Sequence, residues 1–242
     1  MPLTKGGLTK TKTKSLTKTV GSFPAGAWQY DMEYCIELPR YFESAGWQQL
    51  IQDPPIGPPP GPDATIAELK ELMKMQENQE ERKRRKPDIK KENKAYDPIP
   101  LMRPLMIPPG GGGFPATYTL IHGLTVLGKI VAVHFKNRYG RARPCQLEPR
   151  LRPLFDTGHP SYPSGHSMQY HLLAKALTTI VRSHEIGEQL FEIAWRVAEN
   201  REWAGVHYRS DSDAGKKLAF AMFPVIEDAY RQTLLSAARE WV

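Results

Sequence analysis

Proline and glycine placement is the feature that most constrains this 242-residue chain, because it decides where long regular elements can form. Proline fixes φ and has no N–H to donate. Asp53-Pro54-Pro55 and the run Pro58-Pro59-Pro60-Gly61-Pro62 therefore stop whatever precedes them and leave a linker or extended strap. Before that strap, between Trp28 and Ile51, apolar and aromatic residues recur irregularly at helical spacing. After it a helix is expected from Ala64, with Asp63 able to cap it and Ile66, Leu69, Leu72, Met73 and Met75 forming one apolar stripe. Pro87 is expected to end that helix, and its charged half, Glu80 to Lys86, to be solvated. Pro98, Pro100, Pro104, Pro108 and Pro109 keep the next stretch irregular, and Gly110 to Gly113 make a flexible joint. The compact region is expected to begin near Phe114.

From there the spacing predicts four helical segments, roughly Thr117 to Tyr139, His166 to Arg182, Ile186 to Ala204 and Asp213 to Trp241, with no strong period-two run to compete. Ser212 or Asp211 can cap the last one, Leu218, Phe220, Ala221 and Val225 anchor it, and Pro224 predicts a kink or an early break. The fold class is all-α, a helical bundle behind an irregular Pro/Gly-rich N-terminal extension. The expected division is a flexible Lys/Thr-rich arm over 1–22, a helical and Pro-rich extension over 23–113 that packs on the core, and a catalytic helical domain over 114–242.

Composition excludes some classes. With 40% apolar and 24% charged residues the chain is neither wholly disordered nor a membrane bundle, and 33 basic against 26 acidic residues give a surplus of +7 that suits an anionic ligand. Cys35 and Cys145 are too few for a disulfide framework or a zinc cluster and are read as ordinary thiols. Met1 to Val20 lack the apolar run of a secretory signal, so a cytoplasmic location is expected. Lys5, Lys10, Lys12, Lys14 and Lys18 are read as a solvated arm without a specific nucleic-acid partner. The longest apolar stretch, Ala116 to Phe135, is interrupted by His122, Lys129 and His134; it is read as a core helix, and no transmembrane segment is expected.

Three short segments place polar groups beside helix ends. In Lys136-Asn-Arg-Tyr-Gly-Arg-Ala-Arg143-Pro144, Lys136 closes a helix and the proline holds Arg143 extended, so a compact charge and a planar fork can grip a tetrahedral oxyanion from two directions. In His159-Pro-Ser-Tyr-Pro-Ser164-Gly165-His166, Ser164 is a good N-cap, Gly165 lets the backbone approach a ligand, and His166 sits in the first turn of a helix whose N-terminus favours anions. In Arg201-Glu-Trp-Ala-Gly205-Val-His207-Tyr-Arg-Ser-Asp211, Arg201 can face the same site, His207 can turn inward, and Asp211 can fix its tautomer.

Together the three patterns, K-x6-R-P, P-S-G-H and R-x5-H-x3-D, are very similar to the signature of the type 2 phosphatidic acid phosphatase and vanadium-dependent haloperoxidase superfamily. The resemblance covers roughly Ala116 to Leu218. It implies a helical bundle whose pocket holds phosphate or vanadate, with Lys136, Arg143 and Arg201 on the oxyanion, helped by Ser164 and the Gly165 amide. It further implies that His207 attacks phosphorus or ligates vanadium, that His166 is the acid and then the base, and that Asp211 orients His207. No cation site for a metal is implied. Asn200 stands where a serine often precedes the third motif's arginine, and the chain lacks the several spans of the membrane-embedded lipid phosphatases and the leader of the secreted acid phosphatases. His159 matches a second histidine of bromide-using haloperoxidases, and the Ala64 to Met75 helix resembles the region before the core in bacterial haloperoxidase-like proteins. The leading expectation is a soluble, metal-independent phosphatase without a cofactor, acting on a small phosphorylated substrate. The alternative is a haloperoxidase using vanadate with peroxide and halide, and the residual is a degenerate anion-binding module.

Overall fold

The computed structural model describes residues 37–93 and 98–242. The expected Lys/Thr arm, its lysines, Cys35 and the start of the apolar stretch at Trp28 lie outside these residues. Every described regular element is helical. The extension contributes α1 (Leu38–Glu43), α2 (Ala45–Gln52), α3 (Pro62–Glu77), α4 (Gln79–Glu92) and α5 (Ile99–Met102). The remainder forms α6 (Pro115–Tyr139), α7 (Pro144–Leu147), α8 (Gly165–Val181), α9 (His184–Trp203), α10 (Arg209–Ala229), α11 (Arg231–Ala238) and a closing 3-10 turn, Arg239–Trp241.

α8 is the axis of the molecule. Residues Met168 to Ala174 are all buried, and a helix without a solvent face must be enclosed by others; α6, α9, α10 and α11 pack around it. α6 turns Leu120, Leu124, Leu127, Val131 and Phe135 into the same core. Its N-terminus has no cap of its own. The carboxylate of Glu240 supplies one, accepting from the Ala116 and Thr117 amides at 2.7 and 2.9 Å, while Trp241 stacks on Phe114 at 4.6 Å. The last residues of the chain thereby fasten the start of the bundle.

Several expectations change. The break in the extension falls at Asn78, whose side chain accepts from the Glu81 amide and starts α4, and Pro87 lies inside α4 instead of ending a helix. Pro87 is on the exposed side of α4, and the docking contacts of Arg85, Ile89 and Glu92 hold the helix on both sides of it. The charged run is only partly solvated. Arg85 bonds Glu199 at 2.7 Å and Asn200 at 3.0 Å, and Ile89 and Glu92 are buried. In the predicted stripe, Leu72 is buried with Leu151 and Tyr208, and Leu69, Met73 and Met75 pack on them, but Ile66 is half exposed. A short helix, α5, interrupts the expected irregular stretch. The last segment starts at Arg209 rather than Asp213, runs through Pro224 and breaks at Tyr230.

The expectation of no transmembrane segment is not supported by composition. Pro115–Leu147 holds the one helix among the described residues long and apolar enough to cross a bilayer, although 56% of its most apolar stretch is buried within the fold, as in a core helix.

Candidate active site

Local backbone geometry brings the three motif segments to the N-terminal end of α8. α6 stops at Gly140, whose φ of 58° closes the helix just after Lys136, and the chain continues extended into Arg143. Ser164 caps α8. After α9, Gly205 takes a φ of 73°, a conformation that favours glycine, and turns His207 back toward α8. The result is a cavity of about 230 Å³ lined by Arg143, His159, Gly165, His166, Arg201 and His207, together with Asn93, Val206 and residues 155–158.

His207 is set for nucleophilic chemistry. Its Nδ1 meets Asp211 Oδ2 at 2.9 Å, so that nitrogen carries the proton and donates, which leaves the lone pair on Nε2. Nε2 accepts from Arg143 Nη1 at 3.1 Å. Burial first, then Arg143 and Lys136, hold the His207 imidazole well below its ordinary range, so it is neutral. Asp211 also accepts from the Tyr208 amide at 3.1 Å and from Arg141 Nη1 at 2.6 Å. Burial pushes its carboxyl up, and Arg141 opposes that shift. The Ser164 amide donates to the Asp211 carbonyl at 2.9 Å, joining the second motif to the third. Gly215 is needed for this approach, since a Cβ there would lie 2.5 Å from the Ser164 carbonyl oxygen.

The cations differ in how they are occupied. Lys136 is buried and donates to the Pro160 and Ser161 carbonyls at 2.8 and 2.9 Å, so it shapes the loop and adds positive potential without lining the cavity. Arg143 spreads its five donors over the carbonyls of His159, Pro160 and Val206, His159 Nδ1 and His207 Nε2. Arg201 is 1% exposed and uses Nη2 on Glu92 Oε2 at 2.8 Å and the Ile89 carbonyl at 3.2 Å. Its Nε and Nη1 have no protein acceptor. Buried donors without partners are rare, and a pair of them on a guanidinium at a cavity wall fits an oxyanion. His166 donates from Nε2 to the Glu92 carbonyl at 3.1 Å, and burial, then Arg201, hold it well below its ordinary range. His159 is the most exposed of the cavity histidines.

Four contributors were not singled out from the sequence: Arg141, Glu68, Glu92 and Gly215. Arg141 spans Asp211 and Glu68 at 2.6 and 2.9 Å over the ring of Tyr208, and Glu68 also accepts from the Ser210 amide and hydroxyl at 2.7 and 2.8 Å. Arg141 lay within the first motif segment, but nothing local marked Glu68 or Glu92, whose partners lie in the distant motif segments.

This arrangement coincides with a family match. The PAP2 superfamily matches residues 117–231. Those residues form a PAP2 domain. Among curated proteins, the chain is similar to the non-specific acid phosphatase of Salmonella typhimurium, with 28% identity over 134 residues covering 52% of this chain and 53% of that protein. The non-specific acid phosphatase of Salmonella typhi is 29% identical over 136 residues, with the same coverage. The chain thus spans about half the length of the curated relatives it matches. Among solved structures, the transmembrane PAP2 type phosphatidylglycerolphosphate phosphatase from Bacillus subtilis shares the fold with a TM-score of 0.52 at 18% identity, over 84% of this chain and 94% of that one. All three motif segments fall inside the PAP2 domain, whereas Glu68 and Glu92 come from outside it.

Proposed function

We propose that the chain is a water-soluble, metal-independent phosphatase that hydrolyses small phosphomonoesters through a phosphohistidine on His207. The observation that carries the reading is the pairing of a neutral His207, its lone pair on Nε2, with the two unpartnered buried donors of Arg201 at the same cavity. The likeness to non-specific acid phosphatases supports the reaction class.

The substrate's phosphoryl oxygens take hydrogen bonds from Arg201 Nε and Nη1 and from Arg143, which exchanges its bond to His207 Nε2 for one to the oxyanion. The Nε2 lone pair forms the N–P bond as the ester P–O bond breaks, and the leaving oxygen takes its proton from His166. Asp211 stabilises the cationic imidazole ring through Nδ1–H. Water then attacks phosphorus, His166 takes the water's proton, and the N–P bond returns its electron pair to Nε2. His166 is neutral in the empty cavity, and an arriving dianion offsets the surrounding cations and raises its basicity, so substrate and proton enter together. Hydrolysis of p-nitrophenyl phosphate in the presence of chelator, lost in His207→Ala, tests the reading.

A second reading rests on His159, which lines the cavity with Nδ1 at 3.0 Å from Arg143 Nη2. The same donors would hold vanadate, with His207 Nε2 toward it, and when bound that group would supply peroxide activation for halide oxidation. Peroxide-dependent bromination that appears on vanadate loading and is lost in His159→Phe would favour it.

A further inference from the structure

Glu92 ends α4, a helix outside the PAP2 domain, yet its carboxylate reaches the anion-binding arginine of the third motif. We propose that Glu92 is a positioning residue for phosphoryl transfer, holding Arg201 so that its Nε and Nη1 edge faces the transferring group; this rests on the phosphatase reading above. The guanidinium is planar and rigid, so engaging Nη2 from behind fixes where the other two nitrogens point. Glu92 Oε2 takes that Nη2 at 2.8 Å, and both ion-pair side chains are enclosed, at 1% and 3% exposed.

Asn200 locks Glu92 in turn. Its Nδ2 donates to both carboxylate oxygens at 3.0 and 3.1 Å, while its Oδ1 accepts from Arg85 Nη1 at 3.0 Å. An amide can donate at one end and accept at the other, which a single hydroxyl on a shorter side chain cannot do across the same span. Asn200 is thus matched to an acidic partner brought by α4. The main chain of Glu92 also accepts from His166 Nε2, so one residue orients both the anion-binding arginine and the proton donor.

A buried carboxylate beside an anion pocket has a cost as well. It cancels much of the attraction that Arg201 would exert on a dianion, so Glu92 trades ground-state affinity for orientation. Removing its charge must then move binding and turnover in opposite directions. Loss of a glutamate with only a scaffolding role would lower stability and loosen both.

The test uses the full chain and the variants Glu92→Gln, Glu92→Asp and Asn200→Ser, with p-nitrophenyl phosphate turnover, competitive inhibition by inorganic phosphate and calorimetric phosphate binding. In Glu92→Gln, kcat is expected to fall about tenfold or more while phosphate binds several-fold tighter. Glu92→Asp, which keeps the charge, should hold phosphate affinity near the parent and recover part of kcat. Asn200→Ser should lower kcat less than Glu92→Gln. A Glu92→Gln variant with kcat within about twofold of the parent, or with phosphate binding weakened alongside thermal stability, overturns the proposal. His207→Ala in the same assay separates the two ideas. A parent without hydrolysis defeats the phosphatase reading, and unchanged phosphate affinity in Glu92→Gln then defeats the positioning of Arg201 independently.

Discussion

Arg141 and Asp211 meet at 2.6 Å, one step behind His207, and neither side chain reaches solvent to any useful extent. The carboxylate therefore faces His207 with one oxygen and a fixed cation with the other, and Arg141 is held by Glu68 on α3. The orientation of His207 depends on this chain of contacts from the extension into the PAP2 domain.

Arg141→Ala is expected to strand Asp211 as an uncompensated buried carboxylate. Breaking such a pair costs about 3–5 kcal/mol, which denaturant unfolding would measure, and turnover should fall with it because His207 loses its fixed tautomer. Glu68→Gln keeps the Arg141–Asp211 pair and should cost less than Arg141→Ala in both measurements.

Gly215→Ala tests the seam between α10 and the cap of α8. The added methyl would meet the Ser164 backbone oxygen at 2.5 Å and the Met168 amide nitrogen at 3.0 Å, neither of which is the end of a flexible side chain. Overpacking of about 1–3 kcal/mol is expected, with loss of kcat as Ser164 and Gly165 shift. Gly61→Ala, where an added Cβ meets nothing within 4 Å, should leave kcat unchanged.

Anion binding should carry a proton. Burial and the surrounding cations depress His166 and His207, and a dianion that offsets those charges raises both, so the complex holds more protons than the free protein. Affinity for sulfate, which stays a dianion, should therefore tighten as pH falls from about 8 to 5, with proton uptake seen as a buffer-dependent binding enthalpy. Sulfate affinity independent of pH would contradict this. Stability of the free protein is a poorer readout because two effects oppose. The depressed histidines contribute stability present above their unfolded value, near pH 6.5, that is lost as pH falls below it. Glu202, pushed up to about 7 by burial, contributes stability at low pH that is lost as pH rises toward 7.

The helices and the site were legible to different depths. The four long segments showed in apolar spacing because α6 and α8 to α11 bury continuous faces, and the three motifs showed because each sits at a helix end. Helix boundaries set by tertiary contact did not show. Pro87 and Pro224 are strong local breakers, yet α4 and α10 run through them because contacts on either side hold the backbone. The run Glu80 to Lys86 has the composition of a solvated face, and only the distant partners Glu199 and Asn200 turn Arg85 inward. Glu68 and Glu92 escaped for the same reason, since a carboxylate's role here is set by which arginine it meets.

The central claim is that His207 Nε2 becomes covalently phosphorylated. His166→Ala removes the base for the second step, so incubation with p-nitrophenyl phosphate, alkaline quenching and peptide mass spectrometry should find a phosphoryl group on the peptide containing His207. His166→Ala with His207→Ala should show none. Hydrolysis by the parent with no labelled His207 in the single variant, or activity that appears only with vanadate and peroxide, would contradict the account.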